Sequence, residues 1–95
     1  VIISNGGTGI TDMMPEAITP LLDHEIPGFA QLFQQISYDD IGSSGMLSRA
    51  MAGLAQQTLI FLMPGSTEGT RLTMEKLVIP QLDEQTKPCA LVGLI

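Results

Sequence analysis

Apolar residues fall into two patterns along this chain. Val1-Ile2-Ile3 and Leu59-Ile60-Phe61-Leu62-Met63 are unbroken runs, as in strands buried on both faces of a parallel sheet. They predict strands over 1–4 and 58–63. Elsewhere apolar positions recur every three or four residues, as in Ile18, Leu21 and Leu22; Phe29, Leu32, Phe33 and Ile36; Leu47, Met51 and Leu54; and Met74, Leu77 and Val78. That spacing predicts helices over 15–24, 28–36, 44–55 and 67–84. Pro15 suits a first helical turn, whereas Pro80 should end or kink the last helix. Residues 90–95 are the remaining strand candidate.

Each predicted strand runs into a glycine-containing turn, Asn5-Gly6-Gly7-Thr8-Gly9 or Pro64-Gly65-Ser66, and then into a helix-like segment. α/β proteins build anion sites this way, because backbone N–H groups gather at the carboxyl end of a strand. The glycines allow positive φ and close approach of a ligand to the main chain. The N–H groups of Gly6, Gly7, Thr8 and Gly9 could cradle a phosphate, with the Thr8 and Thr11 hydroxyls as further donors. Two or three strands do not make a stable parallel sheet. The chain therefore reads as an α/β domain whose N-terminal part lies outside it.

Composition narrows the class. With 44% hydrophobic and 15% charged residues in 95, the chain reads as one small globular domain rather than a disordered segment. No repeat or interdomain linker is visible. No apolar run approaches the roughly 20 residues that cross a bilayer, and no secretory signal pattern stands at the start, so no membrane partner is expected. The single cysteine, Cys89, fits a reducing cytoplasm. Ten acids against four bases give a formal charge of −6, and Arg49 is the one permanent cation in the first 70 residues. That distribution argues against a nucleic-acid footprint. It is compatible with a small anion held by main-chain donors.

Five motifs follow one another: Gly6-Gly7-Thr8-Gly9, Asp12-Met13-Met14-Pro15-Glu16-Ala17, Ile26-Pro27-Gly28-Phe29, Met46-Leu47-Ser48-Arg49-Ala50 and Met63-Pro64-Gly65-Ser66. In that order they resemble the molybdenum-cofactor biosynthesis protein B and molybdopterin adenylyltransferase (MoaB/Mog) family, from residue 1 to about residue 88. The resemblance implies a three-layer α/β/α molybdopterin-binding fold with a mainly parallel sheet. Residues 1–95 would be the C-terminal portion of its single domain. It also implies a reaction, in which AMP passes from Mg-ATP to the terminal phosphate of molybdopterin, giving adenylyl-molybdopterin and pyrophosphate. Molybdopterin is then the substrate, ATP the co-substrate and Mg²⁺ the cofactor. Such chemistry depends on neutralising and aligning two anions more than on a general base.

The same resemblance makes Asp12 the catalytic carboxylate, oriented toward Mg²⁺, and gives substrate binding to Gly6, Gly7, Thr8, Gly9, Thr11, Ser48, Arg49, Pro64, Gly65 and Ser66. It further implies a homotrimer or a dimer of trimers. Another acidic position is expected in the N-terminal half, so the fragment alone should be inactive. Two departures stand out. The family pattern has four residues between its GGTG and its Asp, where this chain has only Ile10 and Thr11, and Met14 replaces a Thr. They keep open an alternative: a non-catalytic pterin-binding or assembly protein. A related nucleotide-cleaving group has a Gly-Gly-Leu-Gly loop and paired aspartates; Thr8 and the single Asp12 depart from that pattern.

Several residues carry a second reading. Asp12 could be an N-cap for the helix at Pro15. Arg49 could form an ion pair rather than hold phosphate, and on the predicted helix it would point about 100° away from Ser48. Pro64-Gly65-Ser66 could be a plain helix-start turn, capped by Ser66 or Thr67. Glu16 suits the dipole of a first turn, and Asp39-Asp40 reads as a solvated turn. His24 lacks the companions a zinc site requires. Met46, Met51 and Met74 read as packing, and Cys89 as an inert thiol.

Overall fold

The computed structural model describes residues 1–65 and 67–95. Four strands, β1 (Ile2–Asn5), β2 (His24–Glu25), β3 (Met51–Ala55) and β4 (Thr58–Met63), form one sheet in the order β1-β4-β3-β2. β1 pairs in parallel with β4, with Ile3 opposite Phe61 and Asn5 opposite Met63. β3 is antiparallel to both β4 and β2. The expected α/β architecture is there, but within this chain the sheet is mixed rather than mainly parallel.

The helices are α1 (Met14–Ile18), α2 (Pro27–Ile41), α3 (Thr67–Thr73) and α4 (Ile79–Gln81), with a wide π turn at Met74–Val78 between α3 and α4. β4 is buried on both faces. Leu59, Phe61 and Met63 face one way, packed with Ala50, Ala52, Leu54, Phe29 and Phe33 of α2, and Val78. The Phe29 and Phe61 rings lie 5.3 Å apart at 56°, a tilted geometry that aromatic quadrupoles favour. On the other face Ile60 and Leu62 are also buried. There Leu22 lies over Gly53, and Thr19 Oγ1 donates to Met51 Sδ at 3.3 Å. A Cβ on Gly53 would stand 2.8 Å from the His24 carbonyl oxygen, so the β2 edge needs glycine at that position.

The helix expected over 44–55 is not formed. Residues Gly42–Leu47 make a 3-10 turn and Met51–Ala55 a strand. The Leu47, Met51, Leu54 spacing coincides with a helical period, but Ala50, Ala52 and Leu54 alternate into the core, and pairing with β4 decides the outcome. The strand expected over 90–95 is a 3-10 turn, Leu91–Leu94, tied to α4 where Leu91 N donates to Gln81 Oε1. α2 continues past Ile36 to Ile41 and ends where Gly42 takes φ +66° and donates to Tyr38 O, a glycine-type helix end. Asp39 and Asp40 are thus exposed positions on the last turn of α2, not a loop. The first helix is shorter than 15–24, giving way to a 3-10 turn at Thr19–Leu21 and then to β2. Pro80 sits inside the last helical stretch rather than ending it. The π turn just before it takes up the register that proline disturbs.

Candidate functional site

β1 and β4 are adjacent and parallel, so their carboxyl ends open on the same side of the sheet. The chain leaves β1 through Gly6-Gly7-Thr8-Gly9 and leaves β4 through Pro64-Gly65. The two loops meet: Gly6 N donates to Met63 O at 2.9 Å, and a Cβ on Gly65 would come within 3.4 Å of Gly6 Cα. Gly6 and Gly7 take φ of +98° and +70°, conformations that favour glycine. Open α/β sheets bind ligands at strand carboxyl ends of this kind.

Beyond Gly7 the first loop is pinned at many points. Met14 N donates to Gly7 O at 3.1 Å, and Met14 Cβ packs where a Gly7 side chain would stand. Ile10 N donates to Leu47 O and Arg49 N to Thr8 O, so residues 8–10 run as a short antiparallel bridge beside 47–49. Gly9-Ile10-Thr11-Asp12 then closes as a tight turn. Asp12 N donates to Gly9 O, and Gly9 N donates back to Asp12 Oδ2, both at 3.0 Å. The short join thus forms a closed turn. Asp12 is not an N-cap: Met13 holds that position for α1, without a side-chain cap bond.

Of the four amides expected to cradle phosphate, Gly6 and Gly9 are engaged inside the chain. Among the described residues the Gly7 and Thr8 amides donate to no protein acceptor. Thr8 is only 2% exposed as a whole residue, while Thr11 lies at the surface.

Arg49 takes up the ion-pair alternative. Its Nε donates to Thr8 O and Gly9 O, its Nη2 to Gly9 O at 2.9 Å and Asp12 O at 2.6 Å, and both Nη atoms reach the Glu16 carboxylate. Ser48 and Arg49 lie on extended backbone, not on a helix, and Ser48 O accepts from Gln34 Nε2 at 2.7 Å. Neither the Glu16 partnership nor the 8–10/47–49 bridge leaves a signal in the sequence, where the spacing of Leu47, Met51 and Leu54 predicts a helix over 44–55 instead. The hydrogen bond from Arg49 holds the Glu16 carboxyl below its ordinary value of 4.5. A lowered carboxyl contributes stability that is complete above the unfolded value and lost as pH falls through the folded one. The Glu16 side-chain carboxyl and Arg49 guanidinium signals are accordingly expected to hold steady above pH 4.5 and to move only below it in an NMR titration.

Pro64 is buried, Gly65 is exposed, and Thr70 Oγ1 donates to Pro64 O at 2.9 Å, tying the second loop to α3. Ser66 lies outside the described residues. Among those described, no three of His, Cys, Asp and Glu gather as a metal cluster, and no helix is long and apolar enough to cross a membrane. A small cavity of about 60 Å³ adjoins Ser48 and Pro64. Larger ones, about 280 and 320 Å³, lie away from the loops, against the π turn and beside β2.

A family model described as "Probable molybdopterin binding domain" matches residues 1–84. Molybdenum cofactor biosynthesis protein B of Escherichia coli K12 is 50% identical over 91 residues, covering 94% of this chain and 54% of that protein. Its namesake in Bacillus cereus is 53% identical over 89 residues, covering 90% and 53%. A crystal structure of a molybdenum cofactor biosynthesis protein B matches with a TM-score of 0.81 and 54% identity over 84% of this chain and 52% of the other. The Pyrococcus furiosus tungsten cofactor synthesizing protein matches with a TM-score of 0.69 and 37% identity, covering 77% and 49%. The chain thus spans about half the length of the relatives it matches.

Proposed function

The chain belongs to the molybdopterin-binding domain family, and from that premise we propose that the intact protein acts in molybdenum-cofactor biosynthesis. It binds the terminal phosphate of molybdopterin at the surface where the Gly6–Gly9 loop and Pro64-Gly65 meet. There it transfers AMP from Mg-ATP to that phosphate. The observation that carries the reading is the meeting of the two loops at the ends of adjacent parallel strands, with Gly6 Cα 3.4 Å from a Cβ built on Gly65. The Gly7 and Thr8 amides are the donors left for the phosphate. In the transfer, a pterin phosphate oxygen forms a bond to the α-phosphorus of ATP, and the α–β bridging oxygen leaves with pyrophosphate.

Mg²⁺ would supply charge neutralisation, and it is commonly held by one or two carboxylates together with substrate phosphates. Asp12 fits that donor set, since Gly9 N engages Oδ2 and, among the described residues, no donor engages Oδ1. Thr11, Ser48 and Ser66 belong to the same proposed substrate site. The exposed apolar side chains of Ile10, Met13, Met46 and Leu47 around the loop support assembly into a homotrimer or dimer of trimers, and the lone cysteine supports a cytoplasmic setting.

One observation favours a second reading, in which the protein binds the pterin without transferring AMP: the Asp12 carboxylate already serves the turn as acceptor for Gly9 N. The intact protein, given Mg-ATP and molybdopterin, is expected to release pyrophosphate in proportion to pterin. Tight pterin binding without pyrophosphate would leave the second reading. Failure to bind the pterin would exclude both.

A further inference from the structure

We propose that Arg49 and Glu16 are positioning residues that pre-form the phosphate loop, and that Arg49 does not contact the phosphate. This rests on the reading that the loop binds one.

The argument starts from the planar trans peptide, whose C=O and N–H point in opposite directions. Fixing one end of a unit therefore aims the other. In the Thr8–Gly9 unit the carbonyl is held by Arg49 Nε and by Arg49 N, and the amide by Asp12 Oδ2. The next unit, Gly9–Ile10, has its carbonyl held by Arg49 Nε and Nη2 and by Asp12 N, and its amide by Leu47 O. Two consecutive peptide units are thus pinned at both ends, directly after the Gly7 and Thr8 amides. A third carbonyl, that of Asp12, is also bound by Nη2.

Glu16 completes the arrangement. Its carboxylate takes one donor from each Nη atom, a paired geometry that suits the planar guanidinium and fixes the rotation of the fork. It also sets most of the cation's charge against an acid. Among the described residues only the second N–H of Nη1 lies outside these bonds, so a two-pronged clamp on phosphate would require Arg49 to release loop carbonyls or Glu16.

Glu16→Gln separates the two roles by the sign of its effect. If Arg49 positions the loop, losing the Glu16 charge loosens the fork, and molybdopterin binding to the intact protein weakens about 3–10-fold, the size of one ordinary net hydrogen bond. If Arg49 were itself a ligand, the same change would unmask its charge and tighten binding. Arg49→Lys keeps the charge but not the fork, and should weaken binding at least as much. Hydrogen exchange supplies a readout that needs no ligand: the Gly9 and Ile10 amides should exchange about 10-fold faster in both variants, with other core amides unchanged. Unchanged exchange at Gly9 and Ile10, or tighter pterin binding by Glu16→Gln, overturns the proposal. If the wild type does not bind molybdopterin, the phosphate reading fails, and exchange alone decides the positioning role.

Discussion

Asp12→Asn in the intact protein is expected to slow pyrophosphate release by about 10²-fold while leaving pterin affinity and folding nearly unchanged. The asparagine side chain keeps a carbonyl oxygen, so Gly9 N retains its acceptor and the Gly9–Asp12 turn stays closed. What is lost is the negative charge that a phosphate-bound cation would meet. The stability change should stay within about 0.5 kcal/mol, as for most exposed substitutions. Asp12→Ala removes the acceptor too, and should loosen the turn as well as slow the reaction. Wild-type release by Asp12→Asn would confine the carboxylate to its place in the turn. Measuring release, pterin affinity and thermal midpoint on both variants separates charge from geometry, which a single alanine variant cannot do.

Phe61→Ala should give the largest change in stability, about 3–5 kcal/mol by denaturant unfolding of the intact protein. Phe61 is fully buried at the centre of β4, and its ring lies against Phe29 of α2. Its removal leaves a cavity where the sheet meets its helix layer. Domains of ordinary size have only about 5–15 kcal/mol in total, so the loss would be a large share. Phe61→Leu refills most of the space and should cost under about 1.5 kcal/mol. A Phe61→Ala loss below about 1 kcal/mol would contradict a core organised around this ring. Because β4 leads directly into Pro64-Gly65, the variant should also lose pterin affinity.

β1 and β4 were legible as strands because unbroken apolar runs of β-branched and large residues have few other uses in a short chain, but only β4 has the expected burial on both faces, since Val1, Ile2 and Ile3 are exposed. β3 was not. Ala50-Met51-Ala52-Gly53-Leu54-Ala55 holds four small residues and no β-branched or aromatic one, so it carries little strand preference, and the order of Leu47, Met51 and Leu54 happens to match a helix. Its strand state comes from pairing with β4, a tertiary effect that no local window contains. The end of α2 was misplaced for a related reason: Asp39-Asp40 looks like a turn, yet the helix runs on until Gly42 supplies the positive φ that stops it.

In the site, the positions were readable and the partnerships were not. Glycines mark loops by their own chemistry, so Gly6-Gly7 and Gly65 are each legible as turns, while their meeting comes from the pairing of β1 with β4. The bonds of Arg49 reach 33 to 41 residues back along the chain. They depend on a bridge between residues 8–10 and 47–49 that the assigned helix hid. Glu16 was read as a dipole-compatible acid; its larger role is as the partner of that arginine.

β4 has a further consequence as a shared beam. It carries the second loop at its end, holds the first loop through its parallel pairing with β1, and sets β3, whose entry segment carries Arg49. The clearance between Gly6 and Gly65 is therefore a tolerance fixed by strand register rather than by the loops themselves. A one-residue slip of β4 would offset the loops by about 3.3 Å and turn Leu59, Phe61 and Met63 to the opposite face. The side chains that fill the core thereby act as the alignment pins of the two loops.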